Sequence, residues 1–174
     1  MSVKENLDAV TERIKDASIK AGRNPEDITL IAVSKTKPVE LIKEAVAQGV
    51  THFGENRPQE IVEKYSQIDG VKWHLIGQLQ KNKVRHIIDK VELIHSVDSL
   101  SLAEEIQKRA SVIDKVQDIL IQVNISGEET KSGVAKEEVI NLCRQISCFS
   151  HIRIKGLMTI SVKDYGENEN IALF

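Results

Sequence analysis

The feature that most constrains this chain is a regular alternation between helix-like stretches and short apolar runs, with the first four runs starting about 20 residues apart. In the first segment Leu7, Val10, Ile14, Ala17 and Ala21 recur at steps of three and four, the spacing of one helix face, and Gly22 and Pro25 end it. Residues 29–34 are apolar and β-branched, which suits a strand buried on both faces. A helix is expected after Pro38, carrying Leu41, Ile42, Ala45 and Val46, with Gly49 as its stop. The pair then repeats as strand 50–54, helix 58–66, strand 71–76, short helix 82–88 and strand 91–97. Ser101 and Glu104 have the spacing of a capping box, which starts a helix there and carries it to about Ala110. Strands at 118–124 and 152–158 then flank a helix whose face carries Val139, Leu142, Cys143 and Ile146.

Six strands alternating with helices argue for an α/β chain with a parallel sheet and right-handed crossovers. The 174 residues suit one domain, and no Gly/Pro/Ser-rich linker divides them. An open doubly wound sheet and a closed barrel satisfy the periodicity equally, because strand order is not written in it. No G-x-G-x-x-G follows the first strand and no G-x-x-x-x-G-K-[ST] occurs, so dinucleotide and P-loop sites lose their main support.

A formal charge of -2 gives no global reason to expect nucleic acid or an anionic membrane as partner. The N-terminus is charged and amphipathic rather than a signal peptide, and no stretch reaches the roughly 18 apolar residues of a span, which points to the cytoplasm. Cys143 and Cys148 have neither redox nor zinc spacing. His52, His86, His95 and His151 show no paired i,i+4 spacing, so no metal is assigned. Lys81, Lys83, Arg85 and His86 read as a solvated basic face.

Ligands of parallel α/β sheets bind at the carboxyl ends of the strands, where loops are free to carry chemistry. All six such ends are polar here, and Lys35, after the first strand, is the most informative. Alternation puts it on one face with Ile31 and Val33, opposite Ala32 and Ser34, so it is expected to project from a largely apolar wall. Ordinary lysine amines, with a pKa of about 10.4, are almost wholly protonated at neutral pH. Schiff-base lysines escape this through burial or a neighbouring cation, and Lys37 stands two residues on. Position alone leaves a solvated loop lysine and a reactive one both open.

Ala-Val-Ser-Lys-Thr-Lys-Pro at 32–38, Phe-Gly-Glu-Asn at 53–56 and Trp-His-Leu-Ile-Gly-Gln-Leu-Gln-Lys-Asn-Lys at 73–83 resemble the YggS-type pyridoxal 5'-phosphate (PLP) homeostasis protein family. So do Val97-Asp98-Ser99, Gln122-Val123-Asn124, Lys131-Ser132-Gly133 and Gly156-Leu157-Met158, in family order over nearly the whole chain. The resemblance implies a (β/α)8 barrel like the N-terminal domain of alanine racemase, with PLP as a Schiff base on Lys35. Asn56 matches a family residue beside the cofactor and Met158 one lining its pocket. His74 lies in a family block too, but alternation leaves its direction open between a packed strand histidine and a ligand.

A full barrel has eight strands and about 250 residues, so about two β/α units are expected to be absent at the C-terminus. In relatives those units supply the turns that hold the cofactor phosphate and an arginine near the pyridine nitrogen. A six-stranded sheet would also leave two unpaired edges. The function implied is a monomeric, non-catalytic PLP carrier in vitamin B6 and amino-acid homeostasis, with PLP-dependent apoenzymes as partners. The alternatives are an amino-acid racemase, which needs a second proton carrier that Tyr65 and Tyr165 are poorly placed to be, or a shortened chain that no longer binds cofactor.

Overall fold

The structure, a computed structural model, describes residues 2–127, 132–161, 166, 168, 169 and 171. Its elements run α1 (Val3–Lys20), β1 (Ala32–Val33), α2 (Val39–Ala47), β2 (His52–Glu55), α3 (Pro58–Tyr65), β3 (Lys72–Leu75), a 3-10 helix (Lys81–His86), β4 (Val91–Val97), α4 (Leu100–Val112), β5 (Gln117–Asn124), β6 (Val134–Ala135), α5 (Val139–Ile146) and β7 (Ile152–Met158). All pairings are parallel, in the order β1-β2-β3-β4-β5-β7, and β6 adds to the end of β5 at Val123 and Asn124.

Three local expectations are corrected. Residues 82–88 lie mostly in a 3-10 turn rather than an α-helix, because a six-residue stretch with no side-chain cap cannot recover the cost of nucleating one. Ser99, not Ser101, is the N-cap of α4, with extended backbone and no side-chain cap bond, so Ser101 and Glu104 are both inside the helix. The true capping box is at α1, where Glu5 N donates to Ser2 Oγ and Ser2 N donates to Glu5 Oε2 at 2.7 Å. β1 keeps only Ala32 and Val33 of residues 29–34, because it pairs with β2 at those two positions alone.

Alternation divides the strand side chains between two faces. Phe53, Trp73, Leu75, Ile94, Ile119 and Ile121 are buried toward the helices, where they join Ile42, Ile61, Ile106 and Ile146 in one apolar cluster. Register pairs such as Phe53 with Trp73 and Ile94 with Ile119 set these side chains in rows. The opposite face carries Gly54, His74 and Gln122. Six strands at about 4.8 Å spacing would separate β1 from β7 by about 24 Å in a flat sheet. Lys35 after β1 and Met158 of β7 nevertheless line one cavity, so the sheet is curled with helices outside. Among the described residues the curl is open between β1 and β7, and Val33 and Leu157 on those strands are 50% and 59% exposed.

Candidate functional site

The cavity encloses about 520 Å³ at the carboxyl ends of the strands. Its lining includes Lys35, Asn56, His95, Gln122, Asn124 and Met158. The three residues singled out from the sequence, Lys35, Asn56 and Met158, are thus brought together from just beyond β1, just beyond β2 and the end of β7. The apolar wall expected around Lys35 is only partial. Lys35 is exposed, and amides and an imidazole share its cavity with Ile76, Val123 and Met158. Gly77, which follows β3 and lies within the family block at 73–83, is a further lining residue that was not singled out from the sequence. A Cβ there would stand 2.3 Å from Asn56 O and 2.7 Å from Asn56 Cα, so only glycine lets this loop lie against the Asn56 backbone.

Lys35 occupies the second position of a tight turn closed by Lys37 N donating to Ser34 O at 3.0 Å. Thr36, at the third position, has φ +61, a left-handed conformation costing a β-branched residue about 1–2 kcal/mol. Buried contacts hold the turn on both sides. Glu55, fully buried, accepts from Ser34 Oγ and from Lys64 Nζ, each at 2.7 Å, and Lys64 Nζ also donates to Ser34 O at 2.9 Å. Glu60 accepts from Thr36 N at 2.8 Å and from Lys64 Nζ at 3.2 Å. Burial raises the Glu55 pKa against the opposing pull of Lys64 and Ser34, and its Oε2 has no hydrogen-bond partner. Burial also acts upward on Glu60, but the Thr36 N–H and Lys64 outweigh it and its pKa is lowered.

His74 is 3% exposed and turns to the inner face, where its ring bonds His52 at 2.8 Å and His95 at 2.9 Å. Burial, then His95, His52 and Lys72, push its pKa down to about 3, and burial pushes His95 down to about 4. The spacings 52, 74 and 95 match the β/α period, the one signal that could have shown three strand histidines in neighbouring positions. The basic cluster on the 3-10 helix is exposed except at half-buried Lys83. Among the described residues no group of three or more His, Cys, Asp or Glu is placed to hold a metal ion.

The sequence profile of the alanine racemase N-terminal domain matches residues 6–170. A pyridoxal phosphate homeostasis protein of Aquifex aeolicus is 45% identical over 162 residues, covering 92% of this chain and 71% of that protein. The chain belongs to the pyridoxal phosphate homeostasis protein family. Its Escherichia coli K12 member is 38% identical over 163 residues, 91% of this chain and 70% of its own length. PipY of Synechococcus elongatus, solved with PLP bound, superposes with a TM-score of 0.80 at 35% identity, over 94% of this chain and 76% of that one. A Clostridium difficile alanine racemase, 19% identical, superposes at 0.76 over 97% of this chain and 44% of the racemase. The curled sheet is thus an α/β barrel fold of the alanine racemase N-terminal kind.

Proposed function

We propose that the chain binds PLP, holding it covalently on Lys35, and serves vitamin B6 and amino-acid homeostasis as a carrier. The observation that carries this reading is the convergence of Lys35, Asn56 and Met158 on one cavity. Its volume falls within the roughly 300–1,000 Å³ of small-molecule sites. A primary amine, the amides of Asn56 and Gln122 and the Ser126 hydroxyl beside apolar Ile76, Val123 and Met158 suit a flat ring bearing polar substituents. When bound, PLP supplies an aldehyde that condenses with a primary amine. Lys35 would provide that amine from the turn that fixes its origin, Asn56 would offer hydrogen bonds and Met158 would supply an apolar surface for the ring. The PLP bound in PipY supports the same cofactor here.

A carrier is favoured over a racemase by the place of Tyr65. Racemisation needs a second proton carrier across the cofactor. Tyr65 lies on α3, 40% exposed, with Lys90 Nζ 5.6 Å from its ring centroid, and does not line the cavity. Tyr165 lies outside the described residues. No helix among the described residues is long and apolar enough to cross a membrane. The reading has one barrel domain acting in the cytoplasm as a monomer and passing PLP to apoenzymes. Protein incubated with PLP and dialysed should keep visible absorbance, and Lys35→Ala should lose it with its far-UV circular dichroism unchanged. Colour of equal intensity in the Lys35→Ala protein refutes the assignment.

A further inference from the structure

β2, β3 and β4 each place one histidine on the inner face. In the parallel register His52 lies beside Lys72 and His74 beside Leu93. Each next histidine therefore sits two residues nearer the carboxyl end than its neighbour's partner, a climb of about 6.6 Å at roughly 3.3 Å per residue. The row crosses the inner face diagonally. It begins at half-buried His52, in a cleft shared with Asp8 and Glu12 of α1, and ends at His95 in the Lys35 cavity. His52 Nδ1 meets His74 Nε2 at 2.8 Å and His74 Nδ1 meets His95 Nε2 at 2.9 Å. The two outer nitrogens, His52 Nε2 and His95 Nδ1, bond no described residue and lie at the two ends.

A neutral imidazole carries one N–H, and each of these contacts needs one shared proton. If His74 donates from Nδ1, then His52 must donate from Nδ1 and His95 must carry its own proton on Nδ1. If His74 donates from Nε2, all three carry it on Nε2. The row thus has two states, and passing between them moves one proton from end to end with all rings neutral before and after.

We propose that His52, His74 and His95 form a proton path between the cleft beside α1 and the cavity, removing the proton that Lys35 must lose to become a nucleophile. The path rests on the reading of Lys35 as the carrier amine. A proton leaves Lys35 Nζ for water in the cavity, which passes one to His95 Nδ1; His95 Nε2–H then passes to His74 Nδ1, His74 Nε2–H to His52 Nδ1, and His52 Nε2–H to water in the cleft. Lys35 ends with a lone pair, each ring ends neutral with its proton on Nδ1, and water carries the charge. The reverse sequence returns the proton. Burial, which keeps His74 and His95 neutral well below pH 7, supplies the condition this two-state row requires. Around His52, burial and Lys72 of β3 lower its pKa while Glu92 of β4 opposes them, and Asp8 and Glu12 of α1 share its cleft. Lys35, in the turn after β1, is the lysine sharing the cavity with His95.

In cofactor-free protein with nitrogen-15 histidine, NMR at neutral pH should find the same protonated nitrogen, or the same average of the two, in all three rings. Unlike tautomers overturn the path. On PLP-loaded protein, His52→Ala should slow both uptake and release about tenfold while the equilibrium fraction bound stays the same, since a proton path speeds both directions alike. Free imidazole should restore both rates. His52→Gln, which keeps a hydrogen bond to His74 but cannot pass a proton, should be as slow as His52→Ala. Unchanged rates, a shift in the bound fraction alone, or no rescue by imidazole each refute a path. If wild-type protein takes up no PLP, the carrier reading fails by itself and the tautomers still decide the row.

Discussion

The pair of buried histidines should make this protein unusually sensitive to mild acid. In the unfolded chain His74 and His95 titrate near 6.5, whereas burial holds them down to about 3 and about 4 in the folded one. Between those values the unfolded state binds more protons, so stability falls as pH drops below 6.5 and levels only near the folded pKa values. From pH 7 to pH 5 each unfolded histidine gains about 1.9 kcal/mol from protonation and each folded one almost nothing, a loss of about 4 kcal/mol for the two. With a urea dependence of about 2 kcal/mol per molar, the midpoint should fall by about 2 M. The perturbation that isolates the pair is a double variant, His74→Gln with His95→Gln, which keeps hydrogen-bonding groups that do not titrate. Urea melts of both proteins at pH 7 and pH 5 share every other titrating group, so their difference reports the two rings. Equal falls in wild type and double variant would refute the reasoning.

Two further perturbations probe the cavity. Gly77→Ala drives a methyl into the Asn56 backbone, so it should cost about 1–3 kcal/mol in a denaturant melt and weaken PLP retention on dialysis; unchanged retention removes the close approach from the account. Glu60→Ala removes the acceptor of the Thr36 N–H, a charge-assisted bond worth about 1.5–3 kcal/mol. It should lower the urea midpoint and slow PLP loading at Lys35, and loading at the wild-type rate means that the turn needs no such anchor.

The alternation of helix and strand made most of the fold legible. The strands at 91–97 and 152–158 stand where periodicity places them, because a run of apolar β-branched residues between helices has few other places to go. Ends were harder. Whether Ser99 or Ser101 caps α4, and whether residues 82–88 coil as α or 3-10, depends on hydrogen bonds that periodicity does not encode. Lys35, Asn56 and Met158 could be named because strand ends are where such folds carry chemistry and because the surrounding blocks resemble a known family. The contacts that fix the Lys35 turn could not. They join Ser34 and Thr36 to Glu55, Glu60 and Lys64 across β1, β2 and α3, and nothing along the chain marks Lys64 as a buried cation. The histidine row was hidden for a related reason, since adjacency of residues 52, 74 and 95 needs the strand register as well as the period.

The attachment of PLP to Lys35 is tested most directly by loading the protein with PLP, reducing it with borohydride and mapping the modified peptide by mass spectrometry. The account predicts one PLP-derived mass increment, on the peptide containing Lys35, and none there in Lys35→Ala. An increment carried by another lysine while Lys35 stays unmodified, or no increment at all, would contradict it.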